Sequence, residues 1–356
     1  MTPPALFSGD DGTVLLILSA AVAAITIVVF FFAGMSIVVR AVSNRRDRRQ
    51  SRLRDFWMEP VLDALADPDH SPFRHNILRK DRLLFLEMLA QLSVTLARED
   101  REQLVAIARP YMETARALRK DRDAEFRALS VQLLGLLGSE EHRGLLIVSM
   151  WDPSPLVALA AIRALSRARG PDDIELVFRE LPRFEKWGSN LLSTLLASFG
   201  NRGVDHLREV MADDGRRERD RVAAAGALLK LNDYESSGIA QTILQASPGR
   251  ELGAVCLRLI KRLGRPVQAG LLEHLASSDD PVIRLHAVSA LAAIGGDENV
   301  DVLTMALCDP SQWVAMRASQ GLKDMNRLDR LQALAEMNHP RARLVREYLR
   351  EGVANA

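Results

Sequence analysis

The chain has 356 residues, with 48% hydrophobic, 26% charged and only 5% aromatic residues, and a formal net charge of +1 at pH 7. So few aromatic side chains argue against a β-sandwich and favour many short helices rich in Leu, Ala and Val. Cys256 and Cys308 stand far apart without a CxxC motif or a His/Cys cluster, which argues against a disulfide framework and predicts two buried, reduced thiols.

The first predicted element is a membrane-spanning helix at residues 14–39, after a short extracytoplasmic N-terminus at residues 1–13. These 26 residues carry no charge, and 16 of them are Leu, Ile, Val or Phe. At about 1.5 Å per residue the helix reaches ~39 Å, which is enough to cross a bilayer with some tilt. A cleaved signal peptide fits less well because Asp10 and Asp11, with no Lys or Arg, precede the apolar run.

A run of arginines follows this segment and sets its orientation. The run consists of Arg40, Arg45, Arg46, Arg48, Arg49, Arg52 and Arg54. Because positively charged flanks stay in the cytoplasm, the N-terminus is predicted to lie outside and everything after Arg40 inside. The predicted location is the bacterial cytoplasmic (inner) membrane, with a single pass and the repeat domain in the cytoplasm.

The juxtamembrane segment at residues 40–78 is predicted to be a basic helix followed by a turn-rich linker. Its arginines have two open interpretations. They only fix the topology, or they also hold the segment against anionic lipids at about 1 kcal/mol each. The residues predicted to lie at the membrane surface are Arg45, Arg46, Arg48, Arg49, Arg52 and Trp57.

Helical repeats are predicted over residues 79–356. Residues 79–97 and 100–118 each have one apolar side and suit a degenerate first helix pair, and the polar residues 340–351 suit a terminal cap. From about residue 121 the sequence repeats every 30 to 32 residues, which is typical of a stacked helical solenoid. The repeats close at positions 138, 168, 200, 232, 264, 295 and 326.

The turns and second helices of these repeats resemble the bacterial HEAT-repeat family, which includes HEAT-like repeats of the PBS-lyase type. The family pattern is an Asp-containing turn, Val-Arg, spaced Ala and Leu, and an apolar-Gly close, and residues 279–295 fit it almost fully. Two repeats have Ala158 or Ala315 where arginine is expected, so the family's Asp/Arg ladder must be weakened or replaced there. The resemblance implies an all-α fold, a right-handed α-solenoid of HEAT-like helix pairs. The apolar segment at 14–39 adds one N-terminal transmembrane helix to this expected fold.

The second helix of each repeat is more basic than its surroundings. These helices are predicted at 124–137, 155–168, 184–199, 218–231, 250–263, 281–294 and 312–325. They hold 14 Lys or Arg and 6 Asp or Glu, whereas the rest of the chain after residue 54 has a net charge of about −11. Since second helices line the concave face of HEAT-like stacks, the resemblance implies a basic groove that binds a partner. Its candidate residues are Arg127, Arg163, Arg167, Arg221, Arg258, Arg284, Trp313 and Arg317.

Two roles remain open for these arginines. In HEAT-like repeats an arginine early in the second helix commonly pairs with an aspartate of its own or the next repeat, and Arg127 and Arg284 each have an aspartate four residues earlier. Arg163, Arg258 and Arg317 lack such a partner nearby in sequence and are the better candidates for contact with a ligand. An acidic protein segment is the expected ligand.

Catalytic motifs are absent from the sequence. It contains no Walker loop, HExxH, GxSxG or Gly-rich phosphate loop, and its seven histidines are scattered. We therefore predict a protein that is not an enzyme and that holds no metal and no cofactor. HEAT-like stacks also occur in phycobilin lyases and in a class of DNA glycosylases. No pigment-site motif supports the first, and the membrane anchor, the net-negative body and the few groove aromatics argue against nucleic acid.

The predicted function is a membrane-anchored cytoplasmic scaffold that binds and recruits or regulates a protein partner. Confinement to the membrane raises the effective concentration of the scaffold near another membrane protein. The expected partner is a membrane enzyme or transporter, such as an envelope-polysaccharide glycosyltransferase, with this chain as accessory subunit. The alternative is an adapter or sensor whose basic groove binds an anionic ligand or nucleic acid. Self-association is left open.

Overall fold

The computed structural model describes residues 49–67, 72–138, 140–168, 170, 173–263, 269–336, 341–343 and 345–346. These residues form helices and turns without strands, which confirms the all-α prediction for the described part of the chain. No helix among them has the length and apolar composition needed to cross a bilayer. The predicted membrane segment at 14–39 lies outside the described residues, and so do Arg45, Arg46 and Arg48.

The chain divides into two compact units, Met1–Ala117 and Leu118–Ala356. In the first unit, α1 covers residues 49–66, and it is followed by α2 (Arg82–Thr95), α3 (Arg98–Ala108), a 3-10 turn (Arg109–Tyr111) and α4 (Met112–Leu118). The single helix predicted at 100–118 is therefore broken. Pro110 has no N–H to donate to a helical hydrogen bond, and the chain tightens into the 3-10 turn at this point.

The core of the first unit is an aromatic cluster around Phe85, which is fully buried. Trp57, Phe73 and Tyr111 surround it, with ring centroids 5.3 to 5.4 Å from that of Phe85. The prediction that Trp57 lies at the membrane surface is wrong, because only 5% of this residue is exposed. Its neighbour Phe56 is 62% exposed, and its ring contacts that of His75 edge-on, with 5.9 Å between the centroids.

The described residues of the second unit form seven second helices close to the predicted positions. They are α5 (Ala124–Leu136), α7 (Pro155–Leu165), α9 (Ser189–Ala197), α11 (Glu218–Leu231), α13 (Arg250–Leu263), α15 (Pro281–Ile294) and α17 (Gln312–Asp324). Only α9 begins clearly late, because Leu181–Phe184 forms a 3-10 turn and Gly188 is the residue that precedes the helix.

The first helices alternate with these along the chain. They are α6 (Arg143–Met150), α8 (Asp173–Glu180), α10 (Val204–Ala212), α12 (Ser236–Gln245), α14 (Ala269–Ala276), α16 (Val300–Ala306) and α18 (Leu328–Glu336). Helices α6, α10, α12, α14 and α16 each pack against the second helix that follows. Second helices also pack side by side: α5 packs with α7, and α9, α11, α13, α15 and α17 pack each with the next. This layering is that of a helical-repeat stack. The handedness of the solenoid stays a prediction.

The repeat pattern in the sequence corresponds to helix starts and ends. Asp123 and Asp280 precede α5 and α15 and accept hydrogen bonds from backbone N–H groups of the first turn, at 2.9 and 2.8 Å. Asn232, Gly295 and Asn326 have φ values of 54°, 74° and 59° where predicted repeats close. Gly and Asn tolerate this conformation better than other residues, so they end the helix at a fixed point.

Glycine and alanine bring neighbouring second helices close together. A Cβ atom at Gly135 of α5 would meet the backbone of Ala164 of α7, 2.9 Å from its Cα. Gly226 of α11 has the same relationship to the side chain of Ser193 of α9. Because the space is already filled, these positions require glycine.

Candidate functional site

Two predicted site arginines tie one repeat to the next. The Arg284 guanidinium donates from Nε and Nη2 to the two carboxylate oxygens of Asp309, at 2.7 and 3.0 Å. Arg127 binds Asp152 in the same way, at 2.8 and 2.9 Å. The local pairing considered from the sequence, four residues apart, does not form, because those aspartates cap their own helices instead.

The aspartates of this ladder also shape the following turn. Asp152 accepts a hydrogen bond from the Ser154 N–H at 2.8 Å, and Asp309 accepts one from the Ser311 N–H at 2.7 Å. The Arg127 hydrogen bonds lower the pKa of Asp152, although burial opposes the shift. Burial raises the pKa of Asp309, but hydrogen bonds chiefly from Arg284 outweigh it and the net shift is downward.

The repeats with Ala158 and Ala315 replace the ladder with another contact. Arg183, from the repeat after Ala158, donates to the backbone carbonyl oxygens of Met150 and Asp152, both at 2.5 Å. Arg341 donates in the same manner to the carbonyl oxygen of Asp309 at 3.1 Å. The ladder is therefore replaced at these junctions by arginines that bind backbone oxygens.

Two further candidates also bind backbone oxygens. Arg221 donates from Nε to the carbonyl oxygen of Met211 at 3.0 Å, and Arg167 donates to that of Arg163 at 2.9 Å. Four of the eight predicted groove residues are thus engaged within the protein. Among the predicted membrane-surface arginines, Arg49 is also engaged within the protein. It forms an ion pair with Asp81 at 2.9 Å.

The remaining candidates present free side chains. Arg163, Arg258 and Arg317 are exposed, and the described residues offer no hydrogen bond or ion pair to any of their guanidinium groups. Trp313 is 70% exposed and lies one helical turn before Arg317 on α17. Exposed arginine and tryptophan side chains are common anchors in protein interfaces.

A cleft of about 390 Å³ opens across the second helices α9, α11, α13 and α15. Lys230 of α11, Arg258 of α13 and His286 of α15 are basic residues of its lining, and Glu251 is an acidic one. The carboxylate of Glu251 accepts a hydrogen bond from the Ser189 hydroxyl at 3.3 Å. The cleft is thus more basic than acidic, and it is formed by four consecutive second helices.

Positive charges from α13 and α17 act on His286 of α15, which lines this cleft. Burial lowers the pKa of His286, and the charges of Arg258, Arg317 and Lys261 lower it further. Lys261 also has a lowered pKa, first through burial and then through the charge of Arg317, with Asp324 opposing. Its Nζ donates to the hydroxyl of Ser289 at 2.8 Å.

We define the basic cluster by its members, which are Lys230, Arg258, Lys261, His286 and Arg317. The structure brings only two predicted residues into it, Arg258 and Arg317. Among the described residues, no interaction links Arg163 to the cluster. Sequence analysis missed Lys230, Lys261 and His286, which stand on the same helices as the predicted Arg221, Arg258 and Arg284. The sequence did contain a sign of this grouping. Lys261 follows Arg258 at helical spacing, and His286 lies on the second helix of the next repeat.

The described residues contain no group of three or more metal-binding side chains. Cys256 is buried as predicted, and burial raises the pKa of its thiol to about 12. Cys308 is exposed in the turn after α16, so the prediction of a buried thiol there is wrong.

Comparison with protein families places HEAT repeats in this chain. A family model of HEAT repeats matches residues 113–179 and 268–354. Together with the helical stack, this match supports a HEAT-repeat protein. The residues between the two matches contain helices α9 to α13, which continue the same alternation. No curated protein matches the chain.

Several solved structures share a distant likeness with the chain. A Kap121p mutant is 13% identical with a TM-score of 0.45, over 82% of this chain and 37% of that one. Importin beta is 13% identical with a TM-score of 0.41, over 80% of this chain and 47% of that one. Human deoxyhypusine hydroxylase is 19% identical with a TM-score of 0.31, over 78% and 98%. The chain therefore spans less than half the length of the Kap121p and importin beta chains.

Proposed function

We propose that this chain is a non-enzymatic, membrane-anchored HEAT-repeat scaffold that binds a protein partner through the basic cluster on its second helices. The observation that best supports this proposal is that Arg258 and Arg317 both act on His286 beside an open cleft. Neither arginine has a partner among the described residues, unlike the ladder arginines. Exposed like charges held close together are unfavourable in the free protein, and an acidic partner would relieve them.

The membrane location of this scaffold is proposed from the sequence. The uncharged segment at 14–39 and the arginines after it support a single pass through a bacterial inner membrane, N-terminus outside. Arg45, Arg46, Arg48, Arg49 and Arg52 would then lie near anionic lipids. We propose that the chain serves as accessory subunit of a membrane enzyme or transporter, such as an envelope-polysaccharide glycosyltransferase.

The second candidate is an adapter or sensor for an anionic ligand. The cleft beside the basic cluster favours it, because about 390 Å³ is enough for a small molecule. Nucleic acid binding through the same face would depend steeply on salt concentration, since phosphate contacts release counterions.

Purification of the full chain in mild detergent, followed by mass spectrometry, tests the proposal. We expect a membrane enzyme or transporter to copurify with the wild type and to be lost from the double variant Arg258→Glu and Arg317→Glu. The matched control is Lys120→Glu with Lys186→Glu, which reverses two exposed charges outside the cluster. A chain that copurifies with no protein, or with nucleic acid alone, would overturn the proposal.

A further inference from the structure

We infer that the basic cluster is a docking site for an acidic peptide segment of the protein partner, and that His286 makes this docking tighter as the pH falls. The inference rests on the proposed scaffold function and names the chemistry of the segment that the scaffold binds. Charge complementarity selects the occupant. Arg258, Lys261 and Arg317 contribute three cations around His286, and Lys230 lines the same cleft.

The shape of the site favours an extended peptide over a compact ligand. The cleft crosses four second helices, and Arg317 extends the basic cluster to a fifth, α17. Trp313 and Met316 on α17 are 70% and 40% exposed beside Arg317. An occupant that contacts both ends needs negative charges and an apolar side chain along one chain, which is a property of peptides.

His286 couples this binding to pH. It is half-buried, and the charged groups that act on it are Arg258 and Lys261 from α13 and Arg317 from α17. Glu251 and Lys230 complete the charges of the same cleft. In the free protein burial, and then the nearby cations, lower the pKa of His286 from its ordinary value, which favours the neutral ring. A bound carboxylate offsets these charges and raises the pKa, and by linkage a lower pH tightens binding.

Fluorescence anisotropy with the full chain in detergent tests the inference. The probe is a labelled peptide of glutamates with one central leucine, and we expect its affinity to rise several-fold from about pH 8 to about pH 6. Arg258→Glu with Arg317→Glu should weaken binding by more than roughly tenfold, because two attractions become repulsions. Lys120→Glu with Lys186→Glu should leave affinity unchanged.

Two further measurements separate the alternatives. His286→Gln should keep the affinity measured at about pH 8 and lose the rise toward about pH 6. An unchanged rise in that variant would overturn the role of His286. Tighter binding of a single-stranded oligonucleotide or of inorganic phosphate than of the peptide would overturn the choice of occupant. If a membrane partner copurifies but the peptide does not bind, the inference fails while the proposed function stands.

Discussion

Arg284 and Asp309 form a two-pronged ion pair between consecutive repeats, and the same carboxylate caps the turn that leads into α17. One side chain therefore fixes both the junction and the start of the next second helix. Arg127 and Asp152 repeat the arrangement. Arg127 and Arg284 therefore hold neighbouring repeats together, whereas Arg258 and Arg317 of the basic cluster have no hydrogen-bond or ion-pair partner among the described residues.

The variant Arg284→Ala should destabilise the second unit by on the order of 1–2 kcal/mol, because Asp309 keeps its burial and loses its charged donors. The side chains are 15% and 8% exposed, so solvent replaces little of the loss. Urea unfolding monitored by circular dichroism measures the change. Arg163→Ala is the control, and an equal loss in both variants would contradict a structural role specific to Arg284.

Acid should destabilise the second unit through aspartates that pair with arginines. Hydrogen bonds from Arg127 and Arg208 hold the pKa values of Asp152 and Asp233 below the ordinary value of 3.8. A carboxylate with a lowered pKa stabilises the fold fully above the unfolded pKa, and that contribution is lost as the pH falls through the folded value. Unfolding free energy should therefore be steady near pH 6 and drop below about pH 4. The variant Asp233→Asn should show a smaller drop.

Gly135→Ala should destabilise the second unit because the added methyl group would overlap Ala164 on the adjacent helix. Gly238→Ala, on α12, has nothing within 4 Å of the added atom and should stabilise by about 0.5–1 kcal/mol. The difference between the two melting temperatures tests the close packing of second helices. A gain in stability at Gly135 would show that α5 and α7 stand further apart.

Trp57→Ala should cost the first unit about 3–5 kcal/mol, because it empties space beside Phe85. The adjacent variant Phe56→Ala removes an exposed ring and should change stability by less than about 0.5 kcal/mol. Limited proteolysis of residues 49–117 compares the two. Equal resistance in both variants would be inconsistent with a core built around Phe85.

One cysteine should react with a thiol reagent in the native protein. Cys308 is exposed, whereas burial raises the pKa of Cys256 to about 12 and leaves almost no thiolate near pH 8. Labelling should stop in Cys308→Ser and rise to two groups per wild-type chain in denaturant. Two labels on the folded wild type would contradict the buried position of Cys256.

Sequence periodicity predicted the second helices well, and the reasons are local. The aspartate before Pro281 caps α15 and Gly295 ends it, and neither effect depends on contacts with distant parts of the chain. Periodicity also shows which side of a helix is apolar. It missed the break at Pro110, where the pattern of apolar residues continues although the backbone donor is missing.

The candidate site was predicted less well because its contacts join distant positions. Arg258 and Arg317 are far apart in sequence, and only the stacking of α13, α15 and α17 places His286 between them. Trp57 was misassigned because the local sequence, a tryptophan close to a run of arginines, fits both a membrane surface and a buried core. The sequence left the partner of Arg284 open between its own repeat and the next one, and the structure shows Asp309 of the next repeat.

Arg127 and Arg284 each bind an aspartate of the next repeat, 25 residues further along the chain. A duplication or deletion of one complete repeat in the gene would preserve these two junctions where the new neighbour carries an aspartate at the matching position. The surface available to a partner can consequently lengthen or shorten in modular steps over evolutionary time, without redesign of a common interior.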